Sequence, residues 1–556
     1  MPSRWHDRTR SLTLALVQQP SVTDTPGERD FAFFLRELLA RHPYFQAHPH
    51  DLWLERTQGD PRERYNLFAL VRGSGARTVV LAGHYDVVST ANYTELEPWA
   101  CDPEALLPRL REWLGANARS ESDRKALEDL ETGEFLPGRG VLDMKSGIAA
   151  GLAVLLEHAE DPGRVGNLLL LATPDEENSS HGMRSAAVRL RELAEGGLEL
   201  VAALNLDATN DAGDGTLGRA AYLGSVGKLL PGVLVIGRET HAAYPLDGLG
   251  AAYLAAAITY RLEAHPDLAD EAEGEVAPPP VCLQHLDLKT HYDVTTPGRA
   301  WCVYNQLSAR RSPLEVLELW RRLVREAVEG ALEEWSRRQR VLLERAAALG
   351  RPLSPGPGWQ VGVYTFAEVL RAAREHSGEE VVERLAALRD ELFAQGGATP
   401  TQVSRRLCEW AWDHSGLTGP AVVLAFGSLH YPIAALEPAD PAHQRLRRVV
   451  EEEVGRMARE TGLGFSVRPF FTGISDLSFL ASADSAEGVA AMQANTPSFG
   501  PAWRFDFAGA LRLPAVNIGP WGRDFHQFTE RLHAPYAFEH LPELLWRVSR
   551  RLLGEG

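Results

Sequence analysis

The stretch Leu168–Ser180, LLLLATPDEENSS, constrains this chain more than any other. Five consecutive apolar residues, Leu168 to Ala172, read as a buried strand. Thr173-Pro174 ends it, because proline has no N–H to give to a sheet ladder. Asp175, Glu176 and Glu177 therefore stand together at the C-terminal end of a buried strand, the edge at which open α/β sheets bind ligands. Acids crowded there are costly unless a cation or solvent answers their charge. By itself the stretch reads equally well as a solvated acidic turn, and the rest of the chain has to decide.

A length of 556 residues leaves room for roughly three to four domain-sized units. Hydrophobic residues at 44% supply a core for them. The formal net charge of -18 excludes a general nucleic-acid or anionic-membrane binder, since both need a basic face; it suits a cytoplasmic protein. Cys101, Cys282, Cys302 and Cys408 are far apart and form no C-x-x-C pair, so neither a disulfide framework nor a thiolate zinc site is indicated. The first apolar run, Leu12 to Val17, is short and is followed by Gln18-Gln19, unlike a signal peptide. No run approaches the ~20 apolar residues of a membrane span.

Taken in order, the chain predicts helices over 7–18 and 28–41, strands over 66–71 and 78–82, surface helices over 104–113 and 121–130, and a helix over 146–158. The strand at 168–172, a helix over 182–194 and a third strand ending at Asp207 follow. Strands alternating with helices imply an α/β fold, a mainly parallel sheet sandwiched by helices. The turn-rich DAGDGTLG (211–218) marks a change of character. Residues 216–434 read as a separate α+β domain: strands at 234–241, 300–307 and 421–426, a helix at 250–262, a long charged helix over 313–349, a loop at 350–358, and mostly helix over 363–414. The first pattern, begun over 1–215, resumes over 435–556 with a helix at 443–461 and strands near 464–469 and 515–518.

His84, Asp86, Asp143, Glu176, Glu177 and Asp207 mostly lie just past apolar strands, and His526 and His533 follow late in the chain. One sheet edge could gather them. Imidazole with carboxylate suits zinc, cobalt or manganese. A pair of metals at about 3.5–4 Å needs a bridging carboxylate and a terminal set for each ion.

GHYDVV, GRGVLDMKSGIAA, ATPDEENSSHGM, LNLDATND and NIGPWGRDFHQFTE, in that order, resemble the metal motifs of the co-catalytic zinc metallopeptidase family of aminoacylase, acetylornithine deacetylase, succinyl-diaminopimelate desuccinylase and glutamate carboxypeptidase. The length, with LQHLDLKTHYDVTTPGRAWCVYNQLSARRSP and SDLSFL, looks closest to the branch named for the arginine-utilisation protein RocB. The resemblance implies that 1–215 and 435–556 form a catalytic domain and 216–434 an inserted lid and dimerisation domain carrying extra helices. It implies two zinc ions, or cobalt or manganese. His84 would be a terminal ligand oriented by Asp86, and Asp143 the bridge. Glu176 would be the general base, and Glu177, Asp207 and His526 the remaining terminal ligands. His526 stands four residues before Glu530, in the family's H-x-x-x-E spacing, with His533 as the competitor. His241, in ETHAAYPLDGLGAA, resembles the lid histidine that reaches a neighbouring active site across a homodimer and stabilises an oxyanion. Arg311, with Arg310 as competitor, stands where some relatives hold a substrate carboxylate. Gly473, Ser475 and Asp476 resemble a substrate-side loop.

The implied reaction is metal-assisted hydrolysis of an amide in a peptide or N-acyl amino acid, a small-molecule substrate, in amino-acid or arginine utilisation. A carbamoyl- or amidine-nitrogen bond is a further reading, because the metal site does not read the leaving group. The alternative from another class is a non-catalytic binding or regulatory protein that retains the fold; loss of the base or of two ligands would favour it, and all are present. Taken singly each signal is weak. An H-x-D is common, a Glu-Glu pair is usually solvated, and His241 or Arg311 could simply pack or carry surface charge. His158 and His181 read as structural, and the cysteines as small core residues.

Overall fold

The computed structural model describes residues 4–428, 430–500, 505–506 and 509–554. The chain divides into two compact units: Met1–Ser225 with Ala434–Ala483 and Gly509–Gly556, and Val226–Ile433 with Asp484–Ala508. The sequence reading returns to the first domain once, at 435. The structure instead gives Asp484–Ala508 to the second unit, because the helix Ala486–Asn495 packs on the helix Pro313–Ala348.

The first unit is built on eight strands: β1 (Leu52–Arg56), β2 (Tyr65–Val71), β3 (Ser74–His84), β4 (Val165–Thr173), β5 (Glu199–Asn205), β6 (Ala220–Tyr222), β7 (Ser466–Arg468) and β8 (Ala515–Ile518). Their spatial order is β1-β2-β4-β3-β5-β8-β6-β7. The central strands β4, β3, β5 and β8 are mutually parallel. Antiparallel pairs flank them, β1 on β2 and β2 on β4 at one side and β6 on β8 at the other. The helices Ser146–Glu160 and Leu541–Leu553 pack on β3 and β4, and His181–Glu195 packs on β2 and β4. This is the α/β sheet that the alternating pattern implies.

Buried runs such as Val79–Ala82 and Leu168–Ala172 make these strands continuous apolar segments, as a covered parallel sheet requires. Register then sets the site. His84 lies opposite Thr173, and Ala82 lies opposite Asn205, which itself pairs with Asn517. The central strands thus end together along one edge. The helix Ser146–Glu160 approaches that edge closely because position 147 is glycine: a Cβ there would stand 2.1 Å from the Leu206 carbonyl oxygen.

β1 has no counterpart in the sequence reading. It is a five-residue edge strand whose Trp53, Leu54 and Glu55 are only half-buried, so it carries no apolar run.

The second unit has a six-stranded sheet. Arg299–Ser308 pairs with Gly227–Leu229 and Pro231–Ile236 on one side and with Val281–Asp287 on the other; Pro231–Ile236 pairs onward with Ala421–Phe426, and that strand with Gly362–Thr365. The strand expected over 234–241 therefore begins at Pro231 and stops at Ile236, leaving His241 beyond it. Val281–Asp287 escapes sequence reading because it is an edge strand with mostly exposed side chains. Phe366–Ser377, Glu380–Ala394 and Pro400–His414 form the extra helices, and Phe366, Val369, Val403 and Leu407 pack onto Leu234, Trp301 and Val423 of the sheet. Cys302 and Cys408 are buried, Cys101 and Cys282 half-buried, and all four are free thiols. Among the described residues, no helix is long and apolar enough to cross a membrane.

Candidate metal centre

His84 is the last residue of β3 and is buried at the sheet edge. Its Nε2 lies 3.1 Å from Asp143 Oδ1, 3.7 Å from Asp207 Oδ1 and 3.9 Å from Glu176 Oε2. Asp143 comes from the loop leading into the helix Ser146–Glu160, and its other oxygen, Oδ2, lies 3.2 Å from His526 Nε2. That same nitrogen is 3.1 Å from Glu177 Oε1. Two triads result, His84–Asp143–Asp207 and Asp143–Glu177–His526, each with donor atoms within 4.8 Å of one another. They share Asp143.

The turn after β4 separates the three acids that the sequence sets side by side. Asp175, with φ +69°, turns inward, where Arg64 Nη1 donates to its Oδ1 at 2.7 Å and the His181 ring nitrogen Nδ1 lies 2.6 Å from its Oδ2. Asp175 is therefore a structural partner of Arg64 and His181, whereas Glu176 and Glu177 face the two triads.

Asp86 holds that turn from below. Its Oδ1 accepts the Glu176 backbone N–H at 3.1 Å, and its Oδ2 accepts the Glu177 N–H at 3.2 Å and the Thr23 hydroxyl at 3.0 Å. His84 Nδ1 meets the Asp86 backbone carbonyl at 3.1 Å, with the Asp86 carboxylate at 3.6 Å. The carboxylate expected to orient His84 thus serves mainly as an acceptor for the acidic turn, and the carbonyl makes the shorter contact with the imidazole. Asn517 fixes the last acid: it accepts the Asp207 N–H at 3.0 Å and donates to the Asp207 carbonyl at 2.9 Å.

The charges are strained in the way a cation site requires. Burial pushes the Glu176 carboxyl well above the ordinary carboxylate range, and Asp207, Asp476 and Glu177 add to the rise while His84 opposes it. Burial and the Asp143 charge raise Glu177. Burial acts to raise Asp143 as well, but hydrogen bonds from His526 and His84 outweigh it and hold Asp143 low. Asp143 and Glu177 push His526 up to about 10. Crowded acids and imidazoles that take up protons in this way are the donor set that divalent cations displace protons from. The nitrogen and oxygen donors fit zinc, cobalt or manganese, and the shared carboxylate fits a pair of ions.

The remaining expected residues fall in several places. His533 lies on a strand paired to Phe135–Pro137, its ring 4.4 Å from that of Trp521 and its Nδ1 accepting the Tyr536 N–H; it is in neither triad. Asp476 is buried, and its Oδ2 accepts the Thr173 hydroxyl at 3.0 Å. Burial raises it to about 7. It therefore stands at the end of β4, close enough for its charge to act on Glu176.

His241, Arg310 and Arg311 belong to the second unit. His241 Nδ1 accepts the Ala243 N–H at 3.0 Å, which leaves Nε2 as the protonated nitrogen. Arg311 Nη1 donates to the Asp267 carbonyl at 2.8 Å, and its Nε lies 3.6 Å from Asp270 Oδ1, while Arg310 is exposed.

Sequence reasoning passes over Arg64, Glu28, Asn92 and Arg139. Arg64 and Arg139 are almost fully buried, but each stands in a charged or glycine-rich stretch that reads as surface. Glu530 carries a signal, the four-residue spacing from His526.

A family model described as Peptidase family M20/M25/M40 matches residues 80–502, a span holding every triad residue except His526. The chain is 31% identical over 555 residues to Protein RocB of Bacillus subtilis, covering 98% of this chain and 95% of that protein. It is 33% identical over 554 residues to the uncharacterized protein YqjN of the same organism, covering 99% and 97%. It is 32% identical over 240 residues to a succinyl-diaminopimelate desuccinylase of Methylorubrum extorquens, covering 42% of this chain and 51% of that enzyme. Among solved structures it is similar to a tripeptidase from Staphylococcus aureus, at 13% identity and a TM-score of 0.48 over 98% of both chains.

Proposed function

The chain belongs to peptidase family M20/M25/M40, a family of metal-dependent peptidases and amidohydrolases, and from that premise we propose a dinuclear zinc hydrolase that cleaves the amide bond of a peptide or N-acyl amino acid. The observation that carries the reading is the pair of triads joined at Asp143. His84 and Asp207 would hold one ion, Glu177 and His526 the other, and Asp143 both. When bound, the ions supply a water acidified toward neutral pH and a polarised carbonyl.

The chain's own groups then move the protons. Glu176 lies within 3.9 Å of His84 Nε2 and belongs to neither triad. Its carboxylate takes the proton from the attacking water and gives it to the leaving nitrogen. Asp86 keeps Glu176 in place by accepting its backbone N–H and that of Glu177. His241, with its proton on Nε2, is the proposed donor to the oxyanion, supplied by a second copy in a homodimer. The open side of the edge strand Val281–Asp287, with Val281, Leu283 and Leu286 exposed, supports such a dimer. For a substrate carboxylate Arg310 is the less committed guanidinium, because Arg311 already donates to Asp267. We place the activity in the cytoplasm, in amino-acid or arginine utilisation.

The test is hydrolysis of a panel of N-acyl amino acids, N-acyl arginines among them, together with di- and tripeptides, by zinc- or cobalt-loaded protein. Amine release by the wild type that Glu176→Gln abolishes supports the reading. Metal-loaded protein that cleaves none of these amides, or a Glu176→Gln variant of undiminished turnover, refutes it.

A further inference from the structure

The two triads are built differently. His84 is 1% exposed on a strand, and Asp207 is 6% exposed just past one. The His526 side chain is 42% exposed, and it sits in a loop with φ +66°. A side chain on an exposed loop holds an ion well only if something fixes the loop. Among the described residues Arg531 ties the loop at Asp524 and Thr529, and the group that reaches His526 itself lies elsewhere in the first unit.

That group is Arg139. It is 1% exposed, as is Glu530. Arg139 Nη1 donates to Glu530 Oε2 at 2.5 Å. Arg139 Nη2 donates to Asn92 Oδ1 at 3.0 Å and to the His526 backbone carbonyl at 3.3 Å. Asn92 Nδ2 donates to the same carbonyl at 3.0 Å. The other oxygen of Glu530, Oε1, accepts the backbone N–H groups of Leu142 at 3.2 Å and Asp143 at 3.4 Å. One guanidinium therefore ties the His526 loop directly and the Asp143 loop through Glu530. The planar fork serves these partners from two separate nitrogens in fixed directions, whereas an ammonium offers all its donors from one nitrogen.

We propose that Arg139, with Asn92 and Glu530, is a positioning residue that sets the metal affinity of the Asp143–Glu177–His526 triad far more than that of the triad holding His84 and Asp207. The inference rests on the dinuclear reading above. It goes beyond that reading by dividing the centre into a half held by the sheet and a half held by this clamp. Among the described residues, His84 and Asp207 make no bond to Arg139 or Asn92, so of their half only the shared Asp143 meets the clamp, through its backbone N–H on Glu530, whereas the other half meets it there and at His526 itself. Loss of partners that orient a ligand weakens metal binding about 10- to 100-fold. Loss of one neutral hydrogen bond weakens it about 2- to 10-fold.

The experiment is titration of the full-length, chelator-stripped protein with cobalt(II), followed by visible absorption and by competition with a chelating indicator. The wild type is expected to bind in two steps, and His526→Ala to lose the weaker one. Arg139→Gln is expected to weaken that step about 10- to 100-fold with the tighter step within about twofold of the wild type. Arg139→Lys, which keeps one bond to Glu530, should fall between them, and Asn92→Ala should weaken the same step alone by about 2- to 10-fold. Asn92 is exposed, so its variant decides the matter if Arg139→Gln fails to fold. Equal weakening of both steps, as from general loosening, or no change in either, overturns the proposal while leaving the hydrolase reading intact. A wild type that takes up no cobalt overturns both, and shows it before any variant is compared.

Discussion

Three adjacent acids, converted one at a time to their amides, should fail in three different ways. Asp175 is fully buried and takes Arg64 Nη1 at 2.7 Å, the His181 N–H at 3.1 Å and the His181 ring at 2.6 Å. Asp175→Asn keeps one acceptor oxygen and loses the charge that answers Arg64. Breaking a buried ion pair costs about 3–5 kcal/mol, and Glu28 and Asp60 remain beside Arg64 to absorb part of the loss. A destabilisation on the order of 2–4 kcal/mol is therefore expected, seen as a lower denaturant midpoint. Glu176→Gln removes the proposed base, which belongs to neither triad, so stability and metal content should hold while kcat falls about 10²- to 10⁴-fold. Glu177→Gln removes a proposed ligand, so one metal of the proposed pair should be lost. The assay is the same for all three: denaturant midpoint, metals per chain, and kcat on whichever amide the wild type cleaves. If Asp175→Asn loses activity or metal with its midpoint unchanged, or if all three variants behave alike, the division of labour within this turn is wrong.

Other outcomes follow from single observations. Gly147→Val should lower stability by about 1–3 kcal/mol, since its Cβ would stand 2.1 Å from the Leu206 carbonyl oxygen; the denaturant midpoint reads this out. Burial first, and then the charges of Arg219, His540 and Arg523, hold His533 down at about 4. The unfolded chain therefore takes up a proton at this histidine before the folded one does. The contribution to stability is fully present above pH 6.5 and is lost as pH falls through 4, to the extent of about 3 kcal/mol. His533→Phe should lose less stability than the wild type between pH 7 and pH 5, and should bind metal normally. Leu283→Lys on the open edge strand should shift a dimer toward monomer by light scattering; an unchanged mass would remove that strand from the interface.

Much of the first unit is legible in the sequence because parallel strands buried on both sides are apolar throughout. Leu168–Ala172 announces itself, and so does the proline that ends it. The edge strands Leu52–Arg56 and Val281–Asp287 are half solvated, and alternation over five to seven residues does not separate them from loop. The centre shows the same division. His84, Asp143, Glu176, Glu177, Asp207 and His526 stand out as polar residues after apolar runs or in motifs that resemble a family, and the structure brings them together. Asp175 stands out equally, yet it faces the other way, because its direction depends on Arg64, 111 residues distant. Arg139 and Glu530 are 391 residues apart. An arginine in sequence looks solvated until its acid is found, and no local pattern finds it. His241 and Arg311 rest on resemblance alone, and only packing reveals that Arg311 is already engaged.

The central claim is that Asp143 joins two metal sites, and metal content per chain tests it most directly. Protein loaded with zinc and freed of excess should hold two ions, His526→Ala one, and Asp143→Ala none firmly. A wild type that holds one ion or none after loading, or an Asp143→Ala variant that still holds two, would contradict it.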